Sequence, residues 1–252
     1  MAKKILNQIY DDKKKGFFTK YKEISVGSSS LLFFIYFEVV TTLFSNIPGA
    51  LGLFLRAVLY RPLFRKIGKG VVFGAHIVIR NPKKIEIGNR VIVDDNCVLD
   101  AKGDECEGIF IGDNVFLSRN VIFGCKNGCI RLGSDITIGP NTTVHSVDEC
   151  KISIGSTSVI AAYSYIIGGA DYKSDKLDVP MSKQGFYEGK GIIIEEDVWL
   201  GAGVFVLDGA HIEKGSIIGA KALVKGNIPP YAVALGTPAK VKKYRKGKNK
   251  NE

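Results

Sequence analysis

Histidine, tryptophan and methionine are scarce in this chain, with three, one and two copies in 252 residues. The histidines stand singly at His76, His145 and His211, so no close pair exists to seed a zinc site of converging imidazoles, and no metal is expected. The five cysteines (Cys97, Cys106, Cys125, Cys129 and Cys150) are odd in number and include no Cys-x-x-Cys pair. That speaks against a disulfide framework or a zinc ribbon and for a reduced, cytosolic setting. Nothing resembling a short apolar region with a small-residue cleavage site follows the basic start, so no cleavable signal peptide is expected.

Negative charge is lacking at both ends. Residues 1–30 carry seven Lys/Arg against three Asp/Glu, and residues 236–252 carry seven against one. Between them the two signs balance at 21 each, so the whole excess of +10 lies in the termini. A basic excess of this kind suits an anionic partner: a phosphorylated cofactor, an acidic membrane surface or nucleic acid. Nucleic acid is discounted, because no recognition-helix or RNA-reading motif accompanies the charge.

What the chain has in plenty is glycine, 29 residues, and a hydrophobic share of 46%. Between Ile192 and Pro229 apolar residues recur every sixth position: Ile194, Leu200, Val206, Ile212, Ile218 and Val224. Four residues after each of the first five comes a small or β-branched residue, at Val198, Val204, Ala210, Ser216 and Ala222. A period of six matches neither a helix nor an alternating strand. It predicts a chain that turns a corner after each short strand, three strands completing one triangular coil, so that every sixth side chain stacks on a common axis.

In chain order, residues 1–29 read as a basic polar arm. Residues 30–67 form the most apolar part, interrupted by Glu38, Pro48-Gly49 and Arg56. The uncharged run from Val39 to Leu55 has 17 residues, the lower limit for crossing a bilayer. Two helices meeting at Asn46-Ile47-Pro48-Gly49 are predicted, either lying in a membrane interface or capping the open end of a solenoid. The solenoid itself is expected over residues 68–235. Its coils open on apolar-x-apolar-Gly, as in Ile85-Glu86-Ile87-Gly88, Ile109-Phe110-Ile111-Gly112, Ile130-Arg131-Leu132-Gly133 and Ile152-Ser153-Ile154-Gly155. Coils beginning at 87, 111, 132, 154, 194 and 212 are separated by 24, 21, 22, 40 and 18 residues. Only the interval of 40 is too long for a corner, and it places a protruding loop at 168–191. Pro229 and Pro230 are expected to end the coil, and residues 236–252 read as a basic tail.

These residues resemble a known family. From Gly68 to Lys243 the chain is similar to the hexapeptide-repeat acyltransferases, nearest to the galactoside, maltose and polysaccharide O-acetyltransferases. The resemblance rests on Asp197-Val198-Trp199-Leu200-Gly201-Ala202-Gly203, on Ile217-Ile218-Gly219-Ala220, and on the ending from Ile228-Pro229-Pro230 through Gly236-Thr237-Pro238-Ala239-Lys240. It implies a mainly β fold, a left-handed parallel β-helix, assembled as a homotrimer with acyl-CoA, acetyl-CoA above all, bound between subunits. It implies acyl transfer to a sugar or cell-surface glycan hydroxyl; the unpaired cysteines and the basic arm ahead of the apolar segment place this expectation in the cytoplasm or peripherally on the cytoplasmic face of the membrane. Gly201, Ala202, Gly219 and Ala220 match positions that let pantetheine run close to the backbone, although solenoid corners use such residues for their own sake. Lys240 and Lys243 match a basic ending beside the nucleotide, Trp199 an aromatic wall of the acceptor site, and Asn141 an acceptor-contacting asparagine that could equally be turn chemistry.

The chain departs from the family at the base. Transfer to a hydroxyl requires a group that takes its proton. Five residues after Ile166, where the family has a histidine, this sequence has Asp171. A free aspartate has a pKa of about 3.9 against about 6.5 for histidine, so Asp171 needs burial or a neighbouring carboxylate such as Asp175 or Asp178 to serve near neutrality. His145, one coil earlier and expected beside Ile167, is the second candidate. A trimeric scaffold without catalysis remains the alternative reading.

Overall fold

The computed structural model describes residues 16–28, 30–103 and 105–246. The period of six is realised as three sheets of eight, nine and seven strands, parallel except for the last strand of the nine-stranded sheet, that form the faces of a prism. Successive strands go to successive faces. Ile192–Ile194 joins the first, Trp199–Leu200 the second and Phe205–Val206 the third, and His211–Ile212 then returns to the first. Ile194, Leu200, Val206, Ile212, Ile218 and Val224 all point inward and are fully or almost fully buried. Ser216, at one of the small inner positions, is buried too, and its hydroxyl donates to the Pro229 carbonyl at 2.9 Å, which keeps a polar group tolerable inside the coil.

The corners explain the asparagines. Between the second and third faces the chain turns through the left-handed region at Asn96, Asn120 and Asn141, with φ of 59°, 60° and 59°. Asparagine tolerates that conformation better than most side chains. Its amide also stacks coil on coil, since Asn120 Nδ2 donates to Asn141 Oδ1 at 2.9 Å.

The three faces differ in chemistry, and this difference positions the site. The eight-stranded face is charged, with Arg65–Glu86 (3.2 Å), Lys151–Glu107 (2.8 Å) and His211–Glu195 (2.8 Å) paired across it. The nine-stranded face presents Ile92, Phe116, Val159 and Trp199, all exposed, in one outward column. The seven-stranded face presents Val78, Tyr165 and Phe205 beside a second column that contains His145.

At the N-terminal end two helices, Leu31–Phe44 and Gly49–Leu59, cover the first coil, with the break at Pro48 between them. Ser30 caps the first by accepting from the Phe33 amide. Phe34, Phe37 and Val40 turn inward, while Tyr60 and Phe64 pack on Phe73 at centroid distances of 5.4 Å. The joint is held by Arg56, only 2% exposed. Its guanidinium donates to the carbonyls of Ile47 (2.8 Å), Phe73 (3.0 Å), Phe44 (3.1 Å) and Ser45 (3.4 Å). These include carbonyls that the first helix leaves open at its C-terminus. Part of the basic arm is helical, over Phe17–Tyr21 and Lys22–Val26; residues 1–15 lie outside the described residues.

The C-terminal end corrects the expectation of a coil stopped by proline and followed by a tail. Ala232–Leu235 still extends the nine-stranded face in parallel beyond Pro230, and Lys240–Tyr244 then doubles back antiparallel on it. A short, lysine-bearing last strand blunts the open edge of a sheet. Residues 247–252 lie outside the described residues.

Candidate active site

His145 lies in the strand Thr143–Val147 on the seven-stranded face, in register with Ile167 on one side and Gly124 on the other. The pairing with Ile167 is the one that the coil spacing predicts. Gly124 makes room for the imidazole: a Cβ there would stand 2.6 Å from His145 Cδ2 and 2.7 Å from Nε2. Beyond Gly124 in the same column is Asp100. Its Oδ2 pairs with Lys102 (2.8 Å) and Arg80 (3.0 Å), while its Oδ1 is buried without a hydrogen-bond partner.

Burial is the main influence on His145 and lowers its pKa; the Asp100 carboxylate works against this, and Lys102 reinforces it. The imidazole is therefore neutral near neutral pH and able to accept a proton. Tyr165 meets it edge-on with ring centroids 6.2 Å apart. Because the folded pKa is depressed, this group's contribution to stability is fully present above about pH 6.5, the unfolded value, and is lost as pH falls through the folded value.

Asp171 is placed differently. The strand Tyr165–Gly168 ends on the seven-stranded face, and Gly169 and Ala170 then turn through the left-handed region (φ 81° and 68°) into the protruding loop. Asp171 follows, exposed at the root of that loop, and its carbonyl accepts from the Tyr187 amide at 2.8 Å. Among the described residues no hydrogen bond or ion pair joins it to His145. The Asp175 carboxylate, further along the loop, accepts from the Tyr187 hydroxyl.

The loop is an ordered finger. Tyr172 and Phe186 pair across it with their rings 4.4 Å apart, and the Gln184 amide bonds Lys176 and Val179. Its feet are held by Asp208, a residue that sequence reasoning missed. Oδ1 accepts from the amides of Gly169 and Gly191, each at 2.9 Å, and Oδ2 from Lys190 at 2.8 Å, so one carboxylate grips both the departing and returning chain. Removing it in Asp208→Ala strands three amides and weakens the finger by about 1–3 kcal/mol. Hydrogen exchange at 169–191 is expected to accelerate while the coil amides keep their protection; unchanged exchange in the finger would show that the grip is dispensable.

The other predicted residues separate into groups. Trp199 is 52% exposed and flanked in register by Val159 and Ile217 on the nine-stranded face. His145 looks out from the adjoining face, and Asn141 marks the edge between them, its side chain engaged by Asn120. Gly201 and Gly219 are accounted for by stacking, since a Cβ on the first would meet the Ala220 amide nitrogen at 2.6 Å and on the second Leu235 Cδ2 at 2.0 Å. Ala202 and Ala220 are exposed beside them and stacked through the bond from the Lys221 amide to the Ala202 carbonyl (2.8 Å). Lys240 pairs with Leu235, which brings its basic side chain to the end of this small-residue strip, and Lys243 pairs with Val233 further along the strand.

Ala202 and Ala220 thus offer small exposed side chains on neighbouring coils, with Leu235 over Gly219 and the lysines of the last strand beyond. No group of three or more potential metal ligands is present among the described residues.

These features define a class. Residues 191–226 match the family described as bacterial transferase hexapeptide (six repeats). The chain is 30% identical over 141 residues to the putative colanic acid biosynthesis acetyltransferase WcaF of Escherichia coli, an alignment covering 55% of this chain and 70% of that one. It is 38% identical over 139 residues to the galactoside O-acetyltransferase of Lactococcus lactis, covering 53% and 61% of the two chains. The N-acyltransferase AntD of Bacillus cereus, solved with dTDP and 3-hydroxybutyryl-CoA, shares the fold with a TM-score of 0.54 at 22% identity, over 75% of this chain and 87% of that one. The chain belongs to the hexapeptide-repeat transferase family, and its prism is that family's left-handed parallel β-helix. It spans 51–61% of the length of several of the curated relatives it matches.

Proposed function

We propose that this protein is an O-acyltransferase, using acetyl-CoA or a related acyl-CoA to modify a hydroxyl of a sugar or glycan precursor, and that it works as a homotrimer with its sites between protomers. The observation that carries the reading is His145, a half-buried neutral imidazole on a face with an apolar column, around one edge from Trp199. Within one chain the two look out from different faces. A cyclic assembly with heterologous contacts sets one face of a protomer against the other face of its neighbour, and so brings His145 and Trp199 to one cleft. The exposed apolar columns on these two faces, against charged pairs on the third, support burial of the same two faces.

In this cleft Ala202, Ala220, Lys240 and Lys243 would hold the donor, with Gly201 and Gly219 keeping the strip flat. Acyl-CoA supplies an acyl group activated as a thioester. His145 takes the proton from the acceptor hydroxyl as its oxygen attacks the thioester carbonyl, and returns a proton to the departing sulfur, giving an ester and free CoA thiol. Trp199 walls the acceptor, and Asn141 holds the edge at which the two faces meet. The five free cysteines and the CoA donor support a cytoplasmic location.

The test is thiol release from acetyl-CoA across a panel of galactosides, maltosides and nucleotide sugars, with the molar mass read by light scattering. Acceptor-dependent release from a particle of three chains is the expected result. CoA binding without acceptor-dependent release marks the non-catalytic scaffold instead, and a monomer removes the shared cleft.

A further inference from the structure

The two cap helices leave an apolar surface that the coil does not use. Leu32 is 82% exposed and Phe54 66%, and Ile35, Leu43, Leu51 and Val58 are exposed with them. A surface of this kind on both helices is more than scattered surface leucines. Its charges have been withdrawn. Residues 31–60 contain only Glu38 and Arg56 as charged groups; Glu38 accepts from the Tyr21 hydroxyl at 2.9 Å, and Arg56 is buried against four carbonyls.

On either side of these helices along the chain the sequence is basic. Residues 1–30 carry seven Lys/Arg against three acids, and residues 61–69 carry four against none. Beside the first helix, Lys83 Nζ stands 4.7 Å from the centre of the Phe33 ring and donates to the Pro62 and Phe64 carbonyls (2.9 and 3.3 Å). The helices of 14 and 11 residues measure about 21 and 17 Å at 1.5 Å per residue, short of the ~30 Å hydrocarbon core. Among the described residues no single helix is long and apolar enough to cross a membrane; Phe18–Val26 with Leu31–Phe44 is apolar enough only as a pair, bent by 72°.

From the apolar centre and the basic flanks we infer that the helical cap docks on an anionic lipid surface, with Leu32 and Phe54 entering the acyl boundary and the flanking lysines and arginines meeting the phosphates. This goes beyond acyl transfer and does not depend on it. If the protein is the trimer proposed above, the cap of each protomer lies at the same end of the assembly, and three weak contacts act together on one plane.

The experiment is co-sedimentation of the full chain with vesicles of phosphatidylcholine alone or mixed with phosphatidylglycerol. The wild type is expected to sediment with the mixed vesicles, less so as salt rises, and L32E/F54E to bind them at least about tenfold more weakly. Both substituted side chains are already in solvent, and an unchanged circular dichroism spectrum and melting midpoint confirm that the variant is folded. A wild type that stays in the supernatant, or a double variant that sediments equally well, overturns the proposal. Equal sedimentation with neutral vesicles overturns the anionic assignment. A double variant of lower molar mass in vesicle-free buffer shows that a second copy covers the patch instead. Thiol release with a small sugar, measured without vesicles, is expected to be the same for wild type and variant, so failure of docking and failure of the enzymatic reading are read separately.

Discussion

Replacing His145 with glutamine is expected to lower kcat/KM for acyl transfer by about 10²–10⁴-fold, the range lost when a positioned base is removed. Glutamine keeps a polar side chain over Gly124 but cannot take a proton at neutral pH. A second reading separates loss of the base from loss of shape. Burial holds the imidazole below its ordinary pKa, so the acid limb of the wild-type kcat/KM profile should fall below about pH 6.5, and the residual activity of the glutamine variant should lack that limb. Asp171→Asn is the control that can reverse the assignment. Should that variant lose the activity while His145→Gln retains it, the base is the carboxylate at the root of the finger.

The second large effect is structural. Arg56→Leu is expected to destabilise the cap by about 3–5 kcal/mol, because it removes a buried charged donor and leaves the carbonyls of Phe44, Ser45, Ile47 and Phe73 in apolar surroundings. Leucine has the apolar character of the site but no donor. In a solenoid each coil leans on its neighbours, so the loss should spread from the capped end. A lowered urea midpoint together with rapid hydrogen exchange over 31–60 would record it. A midpoint equal to that of the wild type would mean that the four carbonyls find other donors.

Much of the architecture could be read directly from residue spacing. The six-residue recurrence from Ile194 to Val224 is a one-dimensional signal, because in a prism each side chain's direction follows from its place in the count. The finger showed itself in the same way, as the single interval of 40 among intervals near 20. The elements that escaped are those held by backbone groups. Asp208 binds amides 17, 18 and 39 residues away, and an amide carries no sequence label. Arg56 likewise reads as an interruption of an apolar run, although it is the pin of the helical joint. Lys240–Tyr244 reads as a solvated tail, because both faces of this edge strand are exposed and no apolar alternation betrays it.

The site was half legible for a related reason. Trp199 and His145 stand out by rarity, but their separation onto two faces depends on where each corner falls. Asn141 matched a ligand-contacting position, yet its left-handed backbone and its bond to Asn120 account for it as a corner residue. For the base, comparison by position pointed to Asp171, whereas burial and the gap above Gly124 favour His145. Those properties come from packing between coils.

The grip of Asp208 on Gly169, Lys190 and Gly191 bears on how such a protein can diversify. One carboxylate fixes where the finger leaves and re-enters through bonds to main-chain nitrogen, so the anchorage is indifferent to the side chains in between. The tip, from Lys173 to Phe186, is thereby free to vary in residues and length without disturbing the prism beneath. Exchange of that segment is thus a change that the molecule can absorb at its rim, leaving its coils untouched.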